Sequence, residues 1–270
     1  MKLFASRIVA IVLAVTAMMH SGLSVSAQAA QANAQKPTVV LVHGAFAESA
    51  SWNGVIDKLQ DQGYPVVAAA NPLRSVKGDA DYVAGILRSI KGPIVLVGHS
   101  YGGAVISNAA HGSANVKALV YVAAFAPLPG ESAQALSGRF PGSTLGPALA
   151  PPVALPGGGN DLYIQQDKFP AQFAADVAPA EARRMAATQR PIAESALAEA
   201  SGGAAWKTIP SWFIFGTLDK NIPPAAQSFM ARRAGAKRTV ELKGASHVVM
   251  VSHPAEVAKL IQEAAAAAAR

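Results

Sequence analysis

Ile94-Val95-Leu96-Val97-Gly98-His99-Ser100-Tyr101-Gly102-Gly103 joins a short, continuous apolar run to a serine flanked by glycines. A run without polar alternation suits a strand buried on both faces, as in a parallel sheet covered by helices. The small residues from Gly102 to Ala110 suit a helix packed close behind that strand. Gly98-His99-Ser100-Tyr101-Gly102 is a G-x-S-x-G pattern. A serine on a sharp strand-to-helix turn needs neighbours without bulk, and glycine tolerates strained backbone angles. The pattern alone is weak. Its place, after a buried strand and at the head of a helix, is the context in which such a serine acts as a nucleophile.

Outward from this turn the alternation repeats. Strands are predicted at Thr38–Val42, Pro65–Ala70, Ala118–Val122, Ser211–Phe215 and Thr239–Leu242. Helices are predicted at Trp52–Gln62, Asp81–Ile90, Pro224–Ala234 and from Pro254 into the Ala264–Ala269 tract. Short apolar strands alternating with helices predict an α/β fold with a mostly parallel central sheet flanked by helices. From Ala126 to about Ser201 the alternation stops. Phe140–Asn160, dense in Pro and Gly, reads as loop, and Phe169–Val177, Pro179–Gln189 and Ile192–Ala200 read as short helices. This block reads as a helical lid inserted over one face of the sheet. The expected organisation is a signal peptide at 1–29, a linker at 30–36, a core from 37–125 and 206–270, and a lid or cap at 126–205.

The composition excludes several classes. With 270 residues, 51% of them hydrophobic, 14% charged and no cysteine, the chain is neither disordered nor a disulfide scaffold. Lys2 and Arg7, then an apolar run from Ile8 to Met19 and small residues to Ala30, describe a Sec-type signal peptide cleaved between Ala27 and Ala30. The apolar run is too short to span a bilayer, which needs about 20 residues. Periplasmic or secreted protein is therefore expected, with no stable membrane span after cleavage. Loss of Lys2 and Arg7 lowers the formal charge of +7 by two. The remaining charge is unclustered and no nucleic-acid motif accompanies it. The sequence leaves the oligomeric state open.

A serine hydroxyl needs a base to take its proton and a third group to orient that base. On this scaffold the order is serine, acid, histidine. Asp219 follows the Ser211–Phe215 strand and is the expected acid; Glu131, well past Val122, is the weaker candidate. His247, just beyond the last strand, is preferred as base over His253, which precedes Pro254 and reads as a helix-opening residue; His111 reads as a surface or packing residue. The oxyanion needs two backbone N–H groups. Tyr101 is expected to supply one. Ala45, in the loop His43-Gly44-Ala45-Phe46 after the first strand, is expected to supply the other, with Phe46 the alternative. His43 and His99 read as structural. Phe46, Phe125, Tyr163, Phe169, Phe173 and Trp206 are candidate lining residues of an apolar substrate pocket. No His, Asp and Glu spacing suits a metal, and no phosphate-binding loop appears, so no cofactor is expected.

Val40–Phe46, Val97–Gly103, Gly216–Asp219 and Gly244–His247 together resemble an α/β-hydrolase over residues 37–269. His43-Gly44-Ala45 followed by Trp52 is similar to the esterases akin to plant methyl-salicylate esterases and hydroxynitrile lyases, and to their bacterial relatives. The resemblance implies an eight-stranded, mostly parallel sheet, a helical lid and a Ser100–His247–Asp219 triad. The lyases typically carry Thr where this chain has Gly44 and Lys where it has Val248, which disfavours cyanohydrin cleavage. Haloalkane dehalogenases carry Asp at the nucleophile position, where Ser100 stands. The expected activity is hydrolysis of small to medium uncharged carboxylic esters through an acyl-enzyme. A cofactor-free perhydrolase (haloperoxidase-like), an amidase or lactonase with the same triad, and a non-catalytic ligand-binding module on this scaffold are the alternatives.

Overall fold

The computed structural model describes residues 36–268; the expected signal peptide and linker residues 30–35 lie outside them. Continuous apolar runs become the central strands: β1 (Thr38–Val42), β2 (Val66–Ala69), β3 (Ile94–His99), β4 (Val116–Val122), and later Ser211–Gly216 and Arg238–Leu242. Val39 to Val42 and Ile94 to Val97 are wholly buried, as strands covered on both faces must be. All pairings in this sheet are parallel, with Val42 opposite Gly98 and His99 opposite Val122. The mostly parallel sheet flanked by helices is therefore present. It has six strands among the described residues, not eight, because the described chain starts two residues before β1 and no described segment extends the sheet past β2.

Two helix pairs cover the sheet. Asn53–Asp61 (α1) packs on Pro254–Ala268, and Val76–Ser89 (α2) packs on Gly102–Ala109 (α3). Helix α2 starts five residues before its predicted beginning. The Ser75 side chain caps it by accepting the Gly78 N–H, so the start is set by a cap and not by apolar periodicity.

Residues 126–205 contain α4 (Ala133–Gly138), α5 (Leu145–Ala148), β5 (Val153–Ala154), β6 (Asn160–Leu162), α6 (Phe169–Phe173), α7 (Pro179–Thr188), β7 (Ile192–Ala193) and α8 (Glu194–Ala198). Two departures from expectation occur here. Phe140–Asn160 holds a helical turn and a strand, and the predicted helix at Ile192 begins as a strand. Strands β5, β6 and β7 form a small antiparallel sheet of two or three residues each, too short to show a period. Later elements are β8 (Ser211–Gly216), α9 (Pro224–Arg233), β9 (Arg238–Leu242), α10 (Val249–Ser252) and α11 (Pro254–Ala268).

The block expected from the sequence as an insertion, residues 126–205, is pinned at its root. The Arg233 guanidinium donates to both carboxylate oxygens of Glu131 and to the Ala126 carbonyl, and lies over the Trp206 ring. Arg233 thus ties the beginning of the insertion to the residue that follows its end. Glu131, the weaker candidate acid, is engaged in this structural pair. Burial alone would raise its pKa, but the Arg233 pair and the Leu128 N–H hold it below the ordinary glutamate value.

Candidate active site

Ser100 sits at the C-terminal end of β3 with φ +55°, a left-handed conformation rare for a residue with a side chain. The surrounding glycines are dictated by close approach. A Cβ on Gly98 would meet the Gly102 carbonyl at 2.6 Å, one on Gly102 the Val42 carbonyl at 2.6 Å, and one on Gly103 the Phe125 carbonyl at 2.3 Å. The turn is therefore wedged between β1 and the segment after β4. Such stored strain persists only where the surroundings enforce it.

Asp219 and His247 come from the loops after β8 and β9. Those loops are stitched together: the Leu218 N–H donates to the Ala245 carbonyl and the Thr217 N–H to the Leu242 carbonyl. His247 Nδ1 lies 2.7 Å from Asp219 Oδ2, with both side chains buried. The same carboxylate accepts from the Asn221 N–H at 2.8 Å, the Ile222 N–H at 3.0 Å and the Gln227 amide at 2.8 Å. Those donors hold its geometry and leave the imidazole Nδ1–H as the fourth. The opposite nitrogen, Nε2, is buried without a hydrogen-bond partner among the described residues. Ser100 and His247 line one cavity of about 1210 Å³.

The first loop approaches the serine turn closely at Gly44, where a Cβ would meet Ser100 Cβ at 2.6 Å and the Tyr101 nitrogen at 3.0 Å. A threonine side chain does not fit there as the chain stands. Ala45 and Tyr101 line the cavity, and neither of their N–H groups donates to a backbone carbonyl of the described residues. The Phe46 N–H, the alternative donor, is committed to the Arg190 carbonyl at 3.0 Å.

The buried histidines beside this pair are fixed in place. His43 Nδ1–H donates to the Gly44 carbonyl, and its Nε2 accepts the Asn71 N–H, which specifies a neutral tautomer. Burial lowers its pKa further. His99 Nε2–H donates to the His247 carbonyl at 3.3 Å, and its ring lies 4.8 Å from that of His247. Burial, then the neighbouring His247 and His43 imidazoles, hold its pKa well below the ordinary histidine value. His253 lies apart, with Nδ1 at 2.9 Å from Ser252 Oγ and 3.5 Å from Asp176. His111 is exposed in the turn after α3.

Tyr101 donates its hydroxyl to Asp79 at 2.9 Å, which anchors a residue of the cavity wall. Burial raises the Asp79 pKa despite the Arg74 and Tyr101 donors. Burial and the Asp79 carboxylate raise that of Tyr101.

Of the candidate pocket residues, Phe46, Phe125 and Phe173 line the cavity. Tyr163, Phe169 and Trp206 do not. Phe169 is fully buried behind Phe173, 4.9 Å ring to ring; Trp206 donates its indole N–H to the Pro127 carbonyl at the root of the insertion; Tyr163 pairs by its carbonyl with the Ala150 N–H. The remaining wall is mostly apolar and carries no Lys or Arg; Glu194 is its one carboxylate.

Sequence reading missed Gln227, Asn221, Asn71 and Asp79, which hold the site residues. Nothing local marks them, since each acts on a partner reached only through the fold.

A profile described as the alpha/beta hydrolase family matches residues 39–260. The alpha/beta hydrolase nvfD of Aspergillus novofumigatus is 26% identical over 250 residues, which is 85% of this chain and 97% of that protein. Two solved structures share the fold. A polyneuridine aldehyde esterase superposes with a TM-score of 0.74 at 21% identity, covering 85% of this chain and 99% of its own. An extracellular alpha/beta-hydrolase from a Paenibacillus species, described as sharing structural and functional homology with tobacco salicylic acid binding protein 2, gives 0.67 at 23%, covering 84% and 98%.

Proposed function

The chain belongs to the alpha/beta hydrolase family, and within it we propose that it is a serine carboxylesterase acting on uncharged esters. The observation that carries this reading is the buried Asp219–His247 pair, whose free Nε2 belongs to a residue lining the same cavity as Ser100. In the proposed reaction Ser100 Oγ attacks the ester carbonyl carbon while His247 Nε2 takes its proton. The Ala45 and Tyr101 N–H groups receive the charge that develops on the carbonyl oxygen. The imidazolium then protonates the departing alcohol, leaving an acyl group on Ser100. Water, deprotonated by His247, attacks that acyl carbon and releases the acid. Asp219 holds the imidazole in the tautomer this requires.

A mostly apolar cavity without a cation supports uncharged substrates, and the esterase named among the structural relatives adds support for ester chemistry. Over this cavity residues 126–205 serve as the lid. The leader-like residues 1–29 and the extracellular relative support export; an exported protein of intact mass from Met1 would contradict cleavage. Among the described residues no helix is long and apolar enough to cross a membrane.

An ester panel on wild type and Ser100→Ala, with a fluorophosphonate probe, tests the reading. The variant is expected to fold, to escape labelling and to lose nearly all turnover. Retention of a tenth of the wild-type rate overturns the nucleophile. Peroxide-dependent halogenation of a phenol dye would favour the perhydrolase instead.

A further inference from the structure

Phe46 has a position that its neighbours do not share. It lines the cavity of Ser100, and it also lines a second cavity of about 540 Å³, and no other residue is common to the two walls. The second cavity lies between the turn at Ser49–Trp52 and helix α7, with Ala47, Ala50, Gly54, Met185 and Val251 as its apolar surface. Its mouth carries Glu181 and Arg184, which pair with each other. Phe46 is buried as a residue, and its ring meets the Phe173 ring edge-on at 6.0 Å.

The backbone at Phe46 is strained. Its φ is +61°, a left-handed conformation that residues with a side chain rarely adopt. Glycine would adopt it freely. The strained geometry is enforced from the insertion, where the Arg190 carbonyl takes the Phe46 N–H. A bulky aromatic held at a glycine-like position and shared by the walls of two cavities is a wall built against an energetic preference. It stands one residue from Ala45, so it bounds the cavity beside the proposed oxyanion donors.

We propose that Phe46 is the partition that sets the length limit of one arm of the ester substrate, and that the cavity behind it is a cryptic extension able to take an unbranched alkyl chain. The proposal rests on the serine esterase reading. Chains short enough to end at the ring are accepted. Longer ones collide with it, although apolar space lies immediately beyond. Removing the ring joins the two cavities, and the chain then runs past Ala47 and Met185 toward the mouth between α7 and the Ser49–Trp52 turn.

The test compares wild type, Phe46→Ala and Phe46→Gly on two p-nitrophenyl or alkyl ester series, one lengthening the acyl chain and one the alcohol chain from two to twelve carbons. Glycine accepts the positive φ and guards against a variant that fails to fold; circular dichroism and thermal melting check both. The expected result is that wild type falls off beyond a chain length in one series, and that kcat/KM for the longer members of that series, taken relative to the shortest ester on the same protein, rises at least about tenfold in the variants. Each extra buried methylene is worth about 0.8 kcal/mol, so two suffice for that factor. Folded variants that hydrolyse the short ester but keep the wild-type chain-length profile in both series overturn the partition. A wild type that hydrolyses no ester, or a Ser100→Ala protein as active as wild type, overturns the esterase reading instead.

Discussion

Strands β1 and β3 bury every side chain from Val39 to Val42 and from Ile94 to Val97, whereas residues 126–205 reach the rest of the molecule both through apolar packing, as where the Phe173 ring meets Phe46, His99 and His247, and through a set of polar contacts. Gln172 donates to the Lys220 carbonyl and to Asn221 Oδ1 beside the acid, Asp176 bonds the Ser246 hydroxyl beside His247, and the Arg190 carbonyl holds Phe46. Ser201 and the Gly202 and Gly203 amides are taken up by Asn108 of α3. The sheet places the reacting groups through apolar packing, which is costly to disturb. Residues 126–205 add to their apolar packing hydrogen bonds worth about 1 kcal/mol each. The two parts of the chain thus differ in how many polar contacts stand beside their apolar packing.

The largest expected effect breaks the sheet-borne machinery itself. His247→Ala should lower turnover of an activated ester on the order of 10³-fold or more, as loss of a triad member does elsewhere. Asp219→Asn should be severe also, because an amide can hold the imidazole in the wrong tautomer. His253→Ala, which touches Ser252 and Asp176 of the insertion, should cost little activity. Kinetics of the three variants at one pH decide it; a crippled His253→Ala beside an active His247→Ala would reverse the assignment.

A middle-sized effect falls on stability. Leu119→Ala, in the fully buried middle of β4, should cost about 2–5 kcal/mol in denaturant unfolding and leave the kcat of the folded fraction nearly unchanged. A loss below ~1 kcal/mol would mean that the sheet interior is not the rigid half of the comparison.

The smallest effect lies at the root of the insertion. Glu131 has a depressed pKa in the folded protein, so its pair with Arg233 contributes stability above the unfolded glutamate value of about 4.3 and loses it as pH falls through the folded value. The pair is partly exposed, which limits it to about 1 kcal/mol. The stability gap between wild type and Glu131→Gln should be open at pH 7 and close at acid pH. A gap independent of pH would remove the charge from the account.

The same contrast governs what was legible in the sequence. Strands such as Thr38–Val42 announce themselves because burial on both faces demands an unbroken apolar run. The serine turn is legible because close backbone contacts exclude every side chain at Gly98, Gly102 and Gly103. Inside the insertion, Asp161 pairs with both Val153 and Ala193, a link that no local period encodes. Aromatic identity also fails to tell which way a ring is turned. Phe173 faces the cavity while Phe169, four residues earlier, lies behind it. Gln227 is an ordinary helical glutamine until the fold brings it to Asp219.

The three buried imidazoles of His43, His99 and His247 have a consequence for where a proton can travel during turnover. His43 already receives an amide hydrogen on its basic nitrogen, and His99 is held neutral by burial and by its two neighbours. In the proposed cycle a proton arriving on His247 from Ser100 therefore meets neighbours that will not relay it inward. Asp219 is saturated by donors on the other side. In that cycle the site would be a proton cul-de-sac with one exit, toward the leaving group.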